Sequence, residues 1–381
     1  MNDYEDIRMA SKNNEKIISE ASPHTLKKFE LIEQYVKSWA QKLMNNKSCN
    51  GIIFIDCMCN SGVYTSKDLG MEIFGTPIRV ANVLLDVART YPEKQVEIYF
   101  NDLSQAKVNE LRKHLPGDER NYKIVTTAKD GNDLLKWIGP QLGASQHKHY
   151  FLLYDPYDAS IDWEALGPFF NNWGEVLINH MISDTLRAVG QVKKEEKKKK
   201  YQNTYQVATL EELIPYGQDK QAYEKRLVEI IDRMRTSTSR EYYVAAFPFF
   251  NRNNALVYDL VHCTSNEKGF KLFKTIAWKT FGDQSSLKNR HGNEMQLVID
   301  FENGELVTNV DDSCYNLNDV ASFIQKEFSG KNNISWDKVW AIVDQHPLFP
   351  SDGYKNEIKK RLKDSYGVVI DSKNKTMSFR N

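Results

Sequence analysis

The sequence predicts an α/β fold: a doubly wound, seven-stranded sheet with a helical insertion and a C-terminal winged-helix-like module. Three observations carry this reading. Short apolar runs alternate with helical stretches between residues 51 and 181, which implies parallel strands covered by helices on both faces. Two apolar runs, 241–250 and 255–265, are separated only by Asn-Arg-Asn-Asn, so they close the sheet as an antiparallel hairpin. Three short helical stretches and two small strands then follow from residue 317.

The elements follow in order. Residues 1–21 are polar and are expected to form a flexible N-terminus. Ser22-Pro23 is a helix start, with Ser as N-cap and Pro in the first turn. Leu26, Phe29, Ile32, Tyr35, Val36, Trp39 and Leu43 follow at helical spacing and form one apolar face. "GIIFID" (51–56) is a buried strand, and Thr76-Pro77 is expected to cap the next helix. "VEIYFND" (96–102), "YKIVTT" (122–127), "YFLLYD" (150–155) and "EVLINHM" (175–181) are the following strands, with helices between them. The rhythm breaks over about 182–240, read as a helical insertion that carries the run "KKEEKKKK" (193–200). The sheet domain is expected to span 22–300 and the winged-helix-like domain 301–381.

Composition narrows the class. The 51 basic and 51 acidic residues balance, so no global field steers the chain to nucleic acid or membrane, and such binding must come from local patches. Five scattered cysteines give neither a disulfide framework nor a zinc spacing, and no metal site is expected. No apolar run approaches the roughly 20 residues that span a bilayer, so no membrane contact is expected. The expected setting is the reducing cytoplasm.

Five parallel strands and a closing antiparallel hairpin are the strand inventory of most S-adenosylmethionine-dependent methyltransferases. On such a sheet a nucleotide-like ligand lies beyond the carboxyl ends of the strands. Asp56, Asp102, Asp130 and Asp155 stand at or just after four successive strand ends. Each has a plainer reading as a helix N-cap. The first turn, "DCMCNSG", keeps Gly62 where three glycines are usual; Asn60 tolerates positive φ, and Met58 does not replace glycine in that respect. In the cofactor reading Asp56, Asn60 and Gly62 shape the turn, Asp102 accepts the ribose hydroxyls and Asp130 accepts from the adenine amine. Asp133 is then the cap of the next helix. Asp102 follows Asp56 by 46 positions, longer than the roughly 20 residues of dinucleotide sites, and an extra helix is expected in between.

"DPYD" (155–158) ends the fourth strand. Enzymes that methylate exocyclic amines of bases use Asp/Asn/Ser-Pro-Pro-aromatic there: carboxylate and proline carbonyl accept the two N–H bonds, and the ring stacks on an extruded base. Asp155, Pro156 and Tyr157 are the candidate catalytic residues, with Tyr157 in place of the second proline and Asp158 in place of the aromatic. The alternative is a turn whose Pro fixes φ and whose Asp caps a helix. The Lys-rich run is either a solvated face or a phosphate contact. Lys355, Lys359, Lys360, Arg361 and Lys363 on the last helix face either a nucleic-acid groove or a protein partner.

Several fragments together resemble the three-Cys-motif partner protein family, bacterial proteins with a methyltransferase-like domain. These are "SPHTLKKFELIEQYVKSWAQKL", "FIDCMCNSGVY", "GTPIRVAN", "LLYDPYD" and "YYVAAF" with "LVYDLVHCTSNEKGFKLFKTIAW", over roughly residues 22–282. The resemblance implies association with a three-cysteine-motif protein. The chain departs from the family pattern at Cys57, Cys59 and Ser61 in the turn and at Asp158. The expected function is S-adenosylmethionine-dependent methylation of a nucleobase amine in DNA or RNA. The competing expectation is an inactive subunit of the same fold that binds a partner protein or nucleic acid.

Overall fold

Ser22 starts the first long helix, α1 (Pro23–Met44): its Oγ accepts the Thr25 N–H at 3.3 Å, and Pro23 stands in the first turn. The buried face of α1 holds Phe29, Ile32, Tyr35, Val36 and Trp39, the stripe read from the spacing. The computed structural model describes residues 16–66, 68, 70–142, 147–189, 192–217, 219–235, 241–288, 297–299, 306–308 and 314–380. Most of the N-terminus expected to be flexible lies outside these. The expectation fails at its end, because Ser19–Ala21 form a strand, β1, paired parallel with β3 (Val63–Ser66) in the register Ser19↔Tyr64. A polar three-residue strand has no sequence signature; it exists because β3 offers an edge.

The strand order of the main sheet is β6 (Tyr122–Thr127), β5 (Gln95–Asn101), β2 (Gly51–Asp56), β7 (Lys148–Tyr154), β8 (Gly174–His180), β10 (Leu256–Thr264) and β9 (Tyr243–Phe250). That is the doubly wound arrangement, third-second-first-fourth-fifth, closed by an antiparallel hairpin. The α/β class predicted from the sequence is therefore the observed one. The chain falls into two compact units, Met1–Asp155 and Pro156–Asn381.

In the first unit, β2 (Gly51–Asp56) is buried along its whole length and lies parallel between β5 (Gln95–Asn101) and β7 (Lys148–Tyr154). β6 (Tyr122–Thr127) pairs parallel with β5. From β2 the chain moves outward through β5 and β6, then returns to the other flank of β2 as β7. The switch point of the sheet thus lies between β2 and β7. Beneath it Phe54 stacks on Phe151 (centroids 5.8 Å apart), and Trp39 and Tyr35 of α1 each meet Phe151 at 5.7 Å. These rings fix α1 to the sheet and set where its first turn arrives.

Among the described residues, the long gap between Asp56 and Asp102 holds no extra helix. It holds a hairpin, β3 with β4 (Glu72–Phe74), before α2 (Thr76–Thr90). Thr76 does not cap α2 either; Gly75 does, with no side-chain bond. A Cβ at Gly75 would lie 2.4 Å from the Tyr64 ring, so the close approach of that ring decides the residue. α3 (Gln105–Arg112) and α4 (Gly131–Ile138) complete the unit.

In the second unit, β8 (Gly174–His180) pairs antiparallel with β10 (Leu256–Thr264), which pairs antiparallel with β9 (Tyr243–Phe250). The predicted insertion is helical: α6 (Ile182–Ala188), α7 (Glu195–Tyr205), a 3₁₀ turn (Leu210–Tyr216) and α8 (Lys220–Met234), preceded by the short α5 (Trp163–Leu166). Trp163 Nε1 donates to Thr204 O at 2.8 Å and ties α5 to α7. α9 (Glu267–Thr280) then leads on. β11 (Leu297–Ile299) and β12 (Leu306–Thr308) form an antiparallel pair. Three helices follow, α10 (Leu317–Phe328), α11 (Trp336–Gln345) and α12 (Lys355–Tyr366). The hairpin of β14 (Val369–Asp371) and β15 (Thr376–Ser378) gains a third strand, β13 (Ile334–Ser335), which the sequence reading did not include. No described helix is long and apolar enough to cross a membrane.

Candidate functional site

The turn after β2 is built from backbone that glycine usually supplies. Asn60 has φ +58° and Gly62 has φ +70°. Asn60 pays part of that cost with its own side chain, whose Oδ1 accepts the Ser61 N–H at 2.8 Å. Gly62 has no substitute, because a Cβ there would lie 2.7 Å from Leu111 Cδ1. Cys57 and Cys59 fill space in the turn with buried thiols that donate to Leu153 O and Asn60 O. Burial, followed by the nearby Asp56 charge, pushes both thiols well up, so neither supplies a thiolate near neutral pH.

Asp102 is the clamp of this turn. Its Oδ2 accepts the Asn60 N–H at 3.0 Å and its Oδ1 accepts the Ser104 N–H at 2.9 Å. At 3% exposure, it meets a ribose diol only with displacement of the turn. Asp130 corrects the sequence reading: it, and not Asp133, is the N-cap of α4, its Oδ1 accepting from the Asn132 and Asp133 amides. Met58 is half-buried with its side chain against the start of α4; a Cβ on Gly131 would lie 3.1 Å from Met58 Cε.

Asp56 and Asp155 flank the switch point. Parallel pairing sets Asp56 beside Leu153, two residues before Asp155. Asp56 is 2% exposed, and its Oδ1 accepts the Met58 N–H at 3.3 Å. Burial, then the like charge of Asp155, pushes its carboxyl up to about 8, so it is a proton donor at neutral pH. Asp155 is partly exposed and holds Lys28 of α1, Nζ to Oδ2 at 2.6 Å. Tyr64 of β3 completes the group. Its ring lies 4.9 Å from Phe29, and its phenol, hydrogen-bonded with Asn60, is raised by burial and then by Asp155 and Asp56.

The structure therefore brings Asp56, Asn60, Asp102 and Asp155 together around one turn, with Gly62 as its hinge. Asp130 stands exposed at the head of α4. Pro156 is buried, and Tyr157 is 66% exposed. Asp158 does not leave a bare charge: burial pushes it up, but bonds from Lys200 and Ser160 outweigh this and hold it below the usual carboxylate range. Two residues of the site were missed in the sequence. Lys28 lies one helical turn before Ile32 on an apolar face, and a lysine on such a face was its signal. Tyr64 had none, because β3 was not foreseen.

No protein-family model matches the chain, and no curated protein matches it. Among solved structures, a Legionella pneumophila protein of family-model DUF519 aligns at 12% identity and TM-score 0.37, covering 65% of this chain and 91% of its own. A Podospora anserina methyltransferase bound to S-adenosylhomocysteine aligns at 12% identity and TM-score 0.29, over 69% and 96% of the two chains. A loganic acid methyltransferase with S-adenosylhomocysteine aligns at 10% identity and TM-score 0.28, over 70% and 88%. Likenesses of this size assign no activity to the chain.

Proposed function

We propose that the chain is an S-adenosylmethionine-dependent methyltransferase acting on a nucleobase amine in DNA or RNA. The observation that carries it is the placement of Asp56 and Asp155 on either side of the β2/β7 switch point, where doubly wound sheets bind their ligands. The residues fit the cofactor in part: the left-handed turn at Asn60 and Gly62 brings backbone forward, whereas the Met58 side chain lies against Gly131 at the head of α4. Asp56, Asn60 and Gly62 would shape its seat. Asp130 caps α4 through Oδ1, which leaves Oδ2 for the adenine amine. Asp102 would take the ribose diol once the turn yields.

The cofactor, when bound, supplies an electrophilic methyl group, so the protein's task is orientation. Asp155 accepts an N–H of the target amine and turns the nitrogen lone pair outward, while Lys28 keeps that carboxylate in place. Pro156 contributes its carbonyl and Tyr157 the stacking face. Transfer of labelled methyl from S-adenosylmethionine to mixed single-stranded DNA and RNA tests this. The expected result is incorporation that Asp155→Ala abolishes; no incorporation by the wild type sinks the enzymatic reading.

A second reading has its own support: Met58 and Asn60 stand at two of the three positions where the cofactor turn usually has glycine, and both oxygens of Asp102 accept from backbone amides. On it the chain is a binding subunit, with a three-cysteine-motif protein or nucleic acid as partner. The C-terminal module would dock as a winged helix. Lys359 lies over the Trp336 ring at 3.1 Å and Arg361 donates to Asn318 Oδ1 at 2.9 Å, whereas Lys360 and Lys363 are exposed.

A further inference from the structure

Residues 193–200 carry six lysines and two glutamates, a local charge of +4 on a chain with no net charge. Residues 195–200 of the run form the start of α7, with both glutamates in the first turn, where the helix dipole favours them, and Lys194 is the N-cap. Lys198 pairs with Glu195 at 2.6 Å, while Lys193, Lys194, Lys197 and Lys199 are exposed. Beside α7 lies a cleft of about 310 Å³ whose lining includes Asp158, Ser160, Asp184, Arg187, Lys197 and Lys200. Its two acids are already answered: Asp158 accepts from Lys200, and Asp184 accepts from Arg187 at 3.0 Å. Lys197 therefore adds positive charge that no acid of the cleft balances. One residue before Asp158, Tyr157 is 66% exposed.

A cationic cleft beside an exposed aromatic face matches the two halves of a nucleotide, phosphate and base. We propose that the α7 cleft holds a backbone phosphate of single-stranded nucleic acid, with an adjacent base stacked on Tyr157. Duplex is the poorer ligand, because its base faces are already stacked and cannot meet the ring. The proposal rests on the nucleic-acid substrate class argued above and adds the binding surface and the strandedness.

Fluorescence anisotropy with single-stranded DNA and RNA of roughly 12 nucleotides, and with the matching duplex, tests it in the absence of cofactor. Single strands are expected to bind more tightly than duplex. Tyr157→Ala is expected to weaken single-strand binding about tenfold without changing its salt dependence. Lys197→Gln is expected to lower the slope of log affinity against log salt by about 0.7, as for one lost phosphate contact. Lys42→Gln, the same charge change on α1, is expected to leave the slope unaltered. Equal effects of the two lysine variants, or a preference for duplex, overturns the proposal. Cofactor binding is read separately by calorimetry. A chain that binds single strands through Lys197 and Tyr157 but takes no cofactor keeps this inference and loses the enzymatic reading; the converse result does the reverse.

Discussion

Lys28 Nζ donates to Asp155 Oδ2 at 2.6 Å, so the second turn of the N-terminal helix is fastened to the end of the fourth parallel strand. The pair is mostly but not wholly buried, with side chains 11% and 25% exposed. Solvent screening tempers its worth, yet loss of Lys28 leaves Asp155 uncompensated beside Asp56. Lys28→Met is expected to cost about 1–3 kcal/mol in urea unfolding, and Asp155→Asn in that background to restore part of it.

Asp56 predicts a particular pH dependence. Its carboxyl is raised to about 8 by burial and then by Asp155, so the native state holds a proton that the unfolded chain releases near its ordinary value of about 3.9. The stabilisation is full below that lower value and is lost as pH rises towards the upper one. Asp56→Asn keeps the acceptor for the Met58 amide and has no proton to lose. Thermal unfolding of the variant is therefore expected to fall less than that of the wild type between about pH 5 and pH 8. Parallel curves would contradict the burial of an unneutralised Asp56.

The turn makes a paired prediction. Gly62→Ala places a methyl 2.7 Å from Leu111 Cδ1 at φ +70° and is expected to cost about 2–3 kcal/mol. Asn60→Gly relieves a non-glycine residue at φ +58° but gives up the bonds from Ser61 and to Ser19, so it is expected to change stability by less than about 1 kcal/mol. Chemical denaturation of the two variants side by side separates strain from hydrogen bonding.

Lys274 offers a test in the second unit. Its side chain is fully buried, and Nζ donates to the carbonyls of Asp344 and His346, each at 2.8 Å, at the end of α11. Burial lowers it to about 7, so the unfolded chain binds the extra proton between that value and about 10.4, and stability rises with pH across this window. Lys274→Met is expected to lose about 1–3 kcal/mol by stranding the two carbonyls, and to lose that rise as well.

Much of this was legible because it depends on local chemistry. The alternation of apolar runs and helices named the main sheet, Ser22-Pro23 named the start of α1, and Asn60 was foreseen as the left-handed residue. What escaped depends on distant partners. β1 and β3 are short and polar, and they exist because each offers the other an edge. Asp130 and Asp133 both suit an N-cap by type; the helix begins at Gly131, which puts Asp130 at the cap and Asp133 inside the first turn. Asp102 looked like a ligand residue because it ends a strand, yet the neighbouring turn brings the Asn60 amide to one of its oxygens, and its own loop brings the Ser104 amide to the other. Lys28 was visible as a lysine on an apolar stripe, but its partner lies 127 positions away.

Calorimetric titration with S-adenosylhomocysteine tests the central claim, that the β2/β7 switch point is a cofactor seat. The wild type is expected to bind one molecule per chain, and Met58→Trp, which enlarges the side chain lying on Gly131, to weaken that binding about tenfold or more. No heat and no thermal shift with the wild type, or undiminished binding by Met58→Trp, would contradict it.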